Sequence, residues 1–481
     1  MQTDNPLSTH PTNATDPGSE PQSLWSAVRE SLRGGHRDYT KGPIGRAIFL
    51  LAVPMVLEMC MESVFAVVDI FWVAHLGADA VATVGLTESM LTLMYAVAIG
   101  LGIGATAMVA RRIGEKNPEG AARAAVQAIA LGLIVSVVVA VIGVSFADKL
   151  LALMGGSPWV LEHGARFTKI MFAGNASIML LFLINAIFRG AGDAAIAMRV
   201  LWMANAINIL LGPCFIFGIG PFPKMGVAGA ALATTIGRST GVLYALSRLV
   251  RSGGRFDIRK RHLKLEPAIM ARLLRLSSTA TFQVFIGMAS WIGLIRTISS
   301  FGSNAVAGYT IGIRVVVFAL LPSWGMANAA ATMVGQALGA GKPDRAERAV
   351  WRAAFYNMVC LGAVGLLFVI CARQIIHFFT DDPNVVYYGV DCLRIVAYGF
   401  LFYAYGMVLT QSFNGAGDTW TPTIINLFVF WLWEIPLAYV LSVKAGMGPR
   451  GVFVAMMVAF STLAVVSAAV FRLGRWKRKA V

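Results

Sequence analysis

The chain has 481 residues, 57% of them hydrophobic and only 13% charged, and its mean hydropathy is +0.70. That composition excludes a water-soluble globular protein of this size and defines an all-α polytopic membrane protein. The formal net charge of +16 does not signal nucleic acid, because the 40 Lys and Arg gather in short loops between apolar spans. The five cysteines, Cys60, Cys214, Cys360, Cys371 and Cys392, show no CxxC spacing and mostly fall in apolar spans. They read as small hydrophobes, neither metal ligands nor a disulfide frame.

Residues 1–22, rich in Thr, Pro, Asn, Ser and Asp, read as a disordered tail without a signal peptide. Residues 24–33 (LWSAVRESLR) suit a short amphipathic helix on the membrane surface. Twelve transmembrane spans follow, at roughly 47–76, 80–110, 121–147, 167–188, 196–218, 227–249, 269–300, 304–336, 348–372, 389–413, 420–442 and 451–471. The polar linker 250–268 divides six from six. The expected organisation is a tail over 1–40, an N-lobe over 41–249, a C-lobe over 269–472 and a basic tail over 473–481. Both tails and the even-numbered loops, with their flanking turns, hold 29 of the 40 Lys and Arg. This places both termini in the cytoplasm of a cell with the protein in its inner or plasma membrane.

The first span carries Glu58, Glu62 and Asp69. At about 100° per residue, Glu62 lies roughly 40° and Asp69 roughly 20° from Glu58 around the helix, so the three share one face. Charges in a membrane helix are costly and usually face a cavity or an ion path. Pro54, one turn before Glu58, cannot donate a backbone hydrogen bond and is a candidate hinge.

An internal repeat runs at a constant offset of 225 residues. LGADAVA (76–82) matches FGSNAVA (301–307), MVARRIGEKNPEGAARA (108–124) matches MVGQALGAGKPDRAERA (333–349), Pro158 matches Pro383, and RGAGD (189–193) matches NGAGD (414–418). An offset spanning six helices restores the membrane orientation, so the lobes are parallel repeats about the membrane normal, with a substrate path between them. The offset carries Glu58, Glu62, Asp69 and Glu88 onto Gln283, Gly287, Leu294 and Ile313. Every acid of this N-lobe set is therefore neutral in the C-lobe.

The stretch PMVLEMCMESVFAVVDIFWVAHLG (54–77), the duplicated GEKNP/GAGKP loops and the paired GAGD turns resemble the multidrug and toxic compound extrusion (MATE) family over about 39–472. The resemblance implies two six-helix lobes around a V-shaped cleft. It also implies export of drugs or amphipathic, often cationic small molecules by antiport with protons or sodium. By similarity Pro54 matches the bending proline and Asp69 the coupling acid. The chain departs from one branch of the family in NILLGP (208–213): Asn208 is retained, but Gly212 stands where that branch has an acid.

The cation-coupling candidates are thus Asp69, Glu62, Glu58, Glu88 and Asn208. Each acid has a plainer reading, as a hydrogen-bonding or interfacial group. Glu434 in WLWEIP, Arg238 in the middle of the sixth span and Gln283 are candidates for the substrate cleft. Arg238 needs an acidic partner in any case. No catalytic residue, metal site or cofactor is expected; proton and sodium both stay open as the coupling ion, and a monomer is expected. A lipid-linked oligosaccharide flippase is an alternative, disfavoured by the acid-lined first helix. An intramembrane enzyme would need paired Asp-rich motifs, and the adjacent Asp381-Asp382 lies in the loop between the ninth and tenth spans. No ATP-binding loop of the GxxxxGK[ST] type is present.

Overall fold

The computed structural model describes residues 24–35, 37–251 and 255–479. The tail expected over 1–22 lies outside the described residues. In chain order the helices are α1 (Leu24–Arg33), α2 (Ile44–Ala74), α3 (Ala78–Gly114), α4 (Pro118–Leu153), α5 (Ala165–Ala173), α6 (Asn175–Ala191), α7 (Ala194–Phe217) and α8 (Val227–Val250). The second half comprises α9 (Pro267–Ser299), α10 (Ser303–Gly339), α11 (Pro343–His377), α12 (Pro383–Tyr398), α13 (Phe400–Gly415), α14 (Trp420–Asn426), α15 (Ile435–Tyr439) and α16 (Pro449–Arg472). π-helical turns over Leu427–Glu434 and Val440–Lys444 join α14 and α15 into one span.

Among the described residues nine helices are long and apolar enough to cross a bilayer, and two bent pairs supply two further spans. The twelfth is α8, whose apolarity is diluted by Thr234, Thr235, Arg238, Ser239 and Thr240. The twelve spans form two pseudo-symmetric six-helix lobes. The bends were not foreseen. They fall between α5 and α6 (41°) and between α12 and α13 (58°), at Gly174 and Gly399, which are 225 residues apart. A Cβ at Gly174 would sit 2.6 Å from Thr235 Oγ1, and one at Gly399 would sit 3.2 Å from Met457 Cα. Each glycine lets a neighbouring helix approach the break closely.

Two apolar cores fill the lobes, one built largely on α3 to α8 and the other on α10 to α16. The first helix of each repeat crosses between them. α2 begins in the C-lobe core, from Ile44 to Met55, and reaches the N-lobe core at Val73. α9 begins in the N-lobe core at Leu273 and ends in the C-lobe core at Leu294 and Ile298. These exchanges seal the two lobes together at the end holding the start of α2. There α3 and α10 touch through their last turns, Gly114 against Gln336 and Gly339 against Arg111. Gln336 Nε2 donates to Gly190 O at 3.0 Å, and Thr332 Oγ1 donates to Arg189 O at 3.0 Å.

Helix α1 forms where the sequence places it, but it is not simply a surface float. Pro54 has no N–H for Leu50 O, and Ser31 Oγ of α1 donates to that carbonyl at 3.0 Å. Glu30 pairs with Arg46 of α2 at 2.8 Å. Arg199 Nη2 of α7 donates to the Leu32 and Arg33 carbonyls, both at 2.6 Å, at the end of α1. Residues 24–35 and 37–40, grouped with the tail from sequence, are therefore ordered against α2 and α7. The segment after α16 is ordered too: Trp476 is buried and stacks on Phe471 at 4.5 Å.

Candidate functional site

Beyond Met55, α2 leaves α10 and turns its carboxylates into the N-lobe. Glu58, 1% exposed, meets α6. Asn185 and Arg189 lie one turn apart on one face of α6, so both reach it. Arg189 Nη1 donates to Glu58 Oε1 at 2.6 Å and Asn185 Nδ2 at 3.2 Å. The other carboxylate oxygen, Glu58 Oε2, is buried without a partner.

One turn further along α2, Asn205 Nδ2 of α7 donates to Glu62 Oε2 at 3.2 Å. Arg238 Nη2 of α8 lies 3.6 Å from Glu62 Oε1. Arg238 is 5% exposed, with Phe65 of α2 packed 5.6 Å from its guanidinium carbon and the Tyr95 hydroxyl of α3 beside it. Two of its nitrogens, Nε and Nη1, have no acceptor. Asp69, half-buried two turns beyond Glu62, and Glu88 of α3 lie within electrostatic reach of Arg238 and of each other. Neither side chain makes a hydrogen bond or ion pair among the described residues. Glu88 also feels Arg314 on α10, across the lobes.

The acids on the first helix thus separate into two layers. Glu58 is held by Arg189 in a closed ion pair. Glu62, Asp69 and Glu88 gather loosely around one under-satisfied arginine. Asn208 touches no carboxylate among the described residues; its Nδ2 donates to Thr234 Oγ1 at 2.7 Å, tying α7 to α8 one turn before Arg238. A Cβ at Gly212 would meet only Trp72, at 3.8 Å.

The C-lobe keeps the positions and loses the charge. Where Glu58 meets Arg189, the repeat has Gln283 and Asn414, each buried with an unpartnered carbonyl oxygen. Glu434 lies inside the C-lobe, 2% exposed, at the end of a π-helical turn. Tyr309 and Tyr403 are within its electrostatic reach, and no cation pairs with it among the described residues. Such a carboxyl belongs to the lobe interior, so the structure does not bring it to the N-lobe acids. Among the described residues, no group of three or more His, Cys, Asp or Glu is arranged to hold a metal ion.

Reasoning from sequence missed Arg189, assigned to the RGAGD turn, together with Asn185, Asn205 and Tyr95. Asn185 and Arg189 carried a signal: two polar groups spaced i, i+4 on an otherwise apolar helix.

Two pseudo-symmetric helical lobes, sealed at one end and carrying buried charge within the bilayer, define a multi-pass membrane transporter. A family model described as MatE matches residues 54–214 and 267–440, and the chain belongs to that family. It is 28% identical over 446 residues to "Probable multidrug resistance protein YoeA" of Bacillus subtilis (strain 168), covering 92% of this chain and 96% of that protein. Among solved structures it is similar to "Crystal structure of MATE in the straight conformation", with TM-score 0.85, 27% identity, and 92% of this chain and 98% of that one covered. It is also similar to "Crystal structure of MATE in the bent conformation", with TM-score 0.84, 27% identity, and 94% and 98% covered.

Proposed function

We propose that this protein is a secondary active exporter of drugs or amphipathic, often cationic molecules, working by antiport with protons in the inner or plasma membrane. Both termini lie in the cytoplasm, and the chain acts as a monomer without a cofactor and without enzymatic chemistry. The observation that carries the reading is the cluster of Glu62, Asp69 and Glu88 around Arg238 in one lobe. A proton suits it better than sodium, because the guanidinium in its midst repels a bare cation while a proton simply neutralises a carboxylate. Asp69 and Glu88 are the acceptors with no competing hydrogen bond.

With both termini cytoplasmic, the sealed end faces the cytoplasm and the structure is outward-facing. A proton entering from outside neutralises Asp69 or Glu62. Arg238 is then less compensated, and its free Nε and Nη1 favour a rearranged N-lobe. Helix α2 bends at Pro54, in keeping with the straight and bent forms named for similar structures. The bend reshapes the cleft and drives the substrate out. The lobes 41–249 and 269–472 then rock about the crossing helices α2 and α9 and reopen to the cytoplasm. Coupling follows if proton and substrate favour opposite states.

Dye efflux from everted vesicles separates the ions. An imposed proton gradient without sodium drives transport under this reading. Transport driven only by a sodium gradient contradicts it.

A further inference from the structure

At the sealed end, the end of α3 and the first turns of α4 and α9 line an open cavity of about 250 Å³. Arg112, Arg123 and Arg272 line it, one from each helix, with Asn117, Gly120 and Ile269. The N-termini of α4 and α9 both end here, but each helix opens on a proline, and Gly120 N and Ile269 N already donate to Asn117 Oδ1 and Glu266 O, so the arginines are the main donors left. The nearby acids offset only part of the charge. Glu115 takes Arg112 at 2.8 Å, and Glu266 stands 3.7 Å from Arg123. Arg272 is exposed and makes no ion pair among the described residues.

The internal repeat supplies a control within the molecule. At the matching place in the C-lobe, Lys342 and Arg345 replace Asn117 and Gly120. They bind the chain itself: Lys342 Nζ donates to Thr40 O at 2.9 Å, and Arg345 donates to the carbonyls of Tyr39, Lys41 and Gly42 at 2.8–3.1 Å. That half-site is filled by carbonyl oxygens of the segment leading into α2. In the N-lobe the matching linker is held by Gln127 instead, through Lys264 O and Glu266 N. The space stays open, and two arginines enter where the C-lobe has alanine: Arg112 for Ala337 and Arg272 for Ala47. Each half-site carries three basic residues, Lys342, Arg345 and Arg348 in the C-lobe and Arg112, Arg123 and Arg272 in the N-lobe; loss of the internal ligand with the charge retained points to an external anion.

We propose that this cavity binds a phosphoryl anion, with the three arginines as its donors. Guanidinium forks match phosphate oxygens geometrically. The cavity lies where the spans α4 and α9 begin, at headgroup depth. Basic pockets between helices at this level suit anionic headgroups; a soluble phosphate offers the same chemistry.

The test uses the full-length protein in detergent, titrated with phosphatidylglycerol, with phosphatidylcholine and with inorganic phosphate, and read by native mass spectrometry and thermal shift. Retention of phosphatidylglycerol over phosphatidylcholine, unaffected by millimolar phosphate, assigns a lipid headgroup. A saturable shift by inorganic phosphate assigns a soluble anion. Absence of both responses overturns the proposal. Replacing Arg112 and Arg272 by Gln is expected to weaken binding about 30-fold, whereas Arg348→Gln in the C-lobe counterpart leaves it unchanged. Gly120→Arg adds charge but fills the cavity, since a Cβ there already lies 2.8 Å from Asn117 Nδ2 and 3.0 Å from Arg112 Cδ. A site therefore loses affinity with Gly120→Arg, while diffuse surface attraction gains it. Equal or tighter binding by Gly120→Arg, or equal loss from Arg348→Gln, refutes the site.

Discussion

Glu58 and Arg238 are both buried charges, and their surroundings give them different tasks. Glu58 shares one oxygen with Arg189 and Asn185 in tight geometry, which is how a membrane protein makes a permanent charge tolerable. Replacing either Glu58 or Arg189 by Gln is expected to destabilise the protein by about 3 kcal/mol, because the remaining charge is left buried. The double replacement should cost far less than the sum of the singles. Thermal unfolding of the four proteins in one detergent checks this; additive losses would mean that the pair does not act as a unit. Arg238 has two nitrogens without an acceptor, and under the proposed mechanism its compensation changes during transport. Glu62→Gln is therefore expected to reduce proton-driven efflux partially, with the fold intact. The acids themselves were legible in the sequence, because a carboxylate inside an apolar run stands out. Arg189 was not, because it abuts a glycine-rich turn and the partnership spans 131 residues of chain. Nor could periodicity divide the stripe of three into a closed pair and an open cluster; that depends on which helix faces each turn of α2.

In α2, Pro54 leaves Leu50 O without its helical donor, and α1 answers that carbonyl through Ser31. This bond straps α1 to α2 at the proline, and the bending proposed for α2 must break or drag it. Ser31→Ala is expected to weaken the straight form by about 1 kcal/mol, the net worth of one hydrogen bond. In a Pro54→Ala background the helix regains its own donor, so Ser31→Ala should then have little effect. Spin-label distances between α2 and α10 in the four proteins report the straight and bent populations. An unchanged effect of Ser31→Ala beside Pro54→Ala would show that the hydroxyl serves something other than the hinge. Helix α1 was readable as an amphipathic segment, but its docking was not, since the carbonyl it caps belongs to the backbone. The breaks at Gly174 and Gly399 were hidden for a related reason. Glycine is common in these spans, and only the approach of a second helix makes these two special.

At the scale of the molecule, the offset of 225 residues foretold the two lobes and the loss of acids from the second. It could not reveal that α2 and α9 each begin in the opposite lobe's core, since apolar residues suit either partner equally. That exchange makes the sealed end a shared surface, with α3 and α10 in contact where Gly114 and Gly339 have no side chain. Gly114→Ala would drive a methyl group into the Gln336 backbone, and it is expected to part the lobes at that end. A cysteine placed at Ala110 in a cysteine-free background should then react faster with a membrane-impermeant maleimide from the cytoplasmic side; an unchanged rate would show that the seal lies elsewhere. The most direct test of the central claim, that the N-lobe carboxylates couple protons to export, is Asp69→Asn in proteoliposomes at matched protein amounts. Efflux driven by a proton gradient should fall to background, while substrate exchange at equal concentrations, which requires no net coupling, persists. Gradient-driven efflux at the wild-type rate would make Asp69 a structural residue and move the coupling site away from the cluster around Arg238.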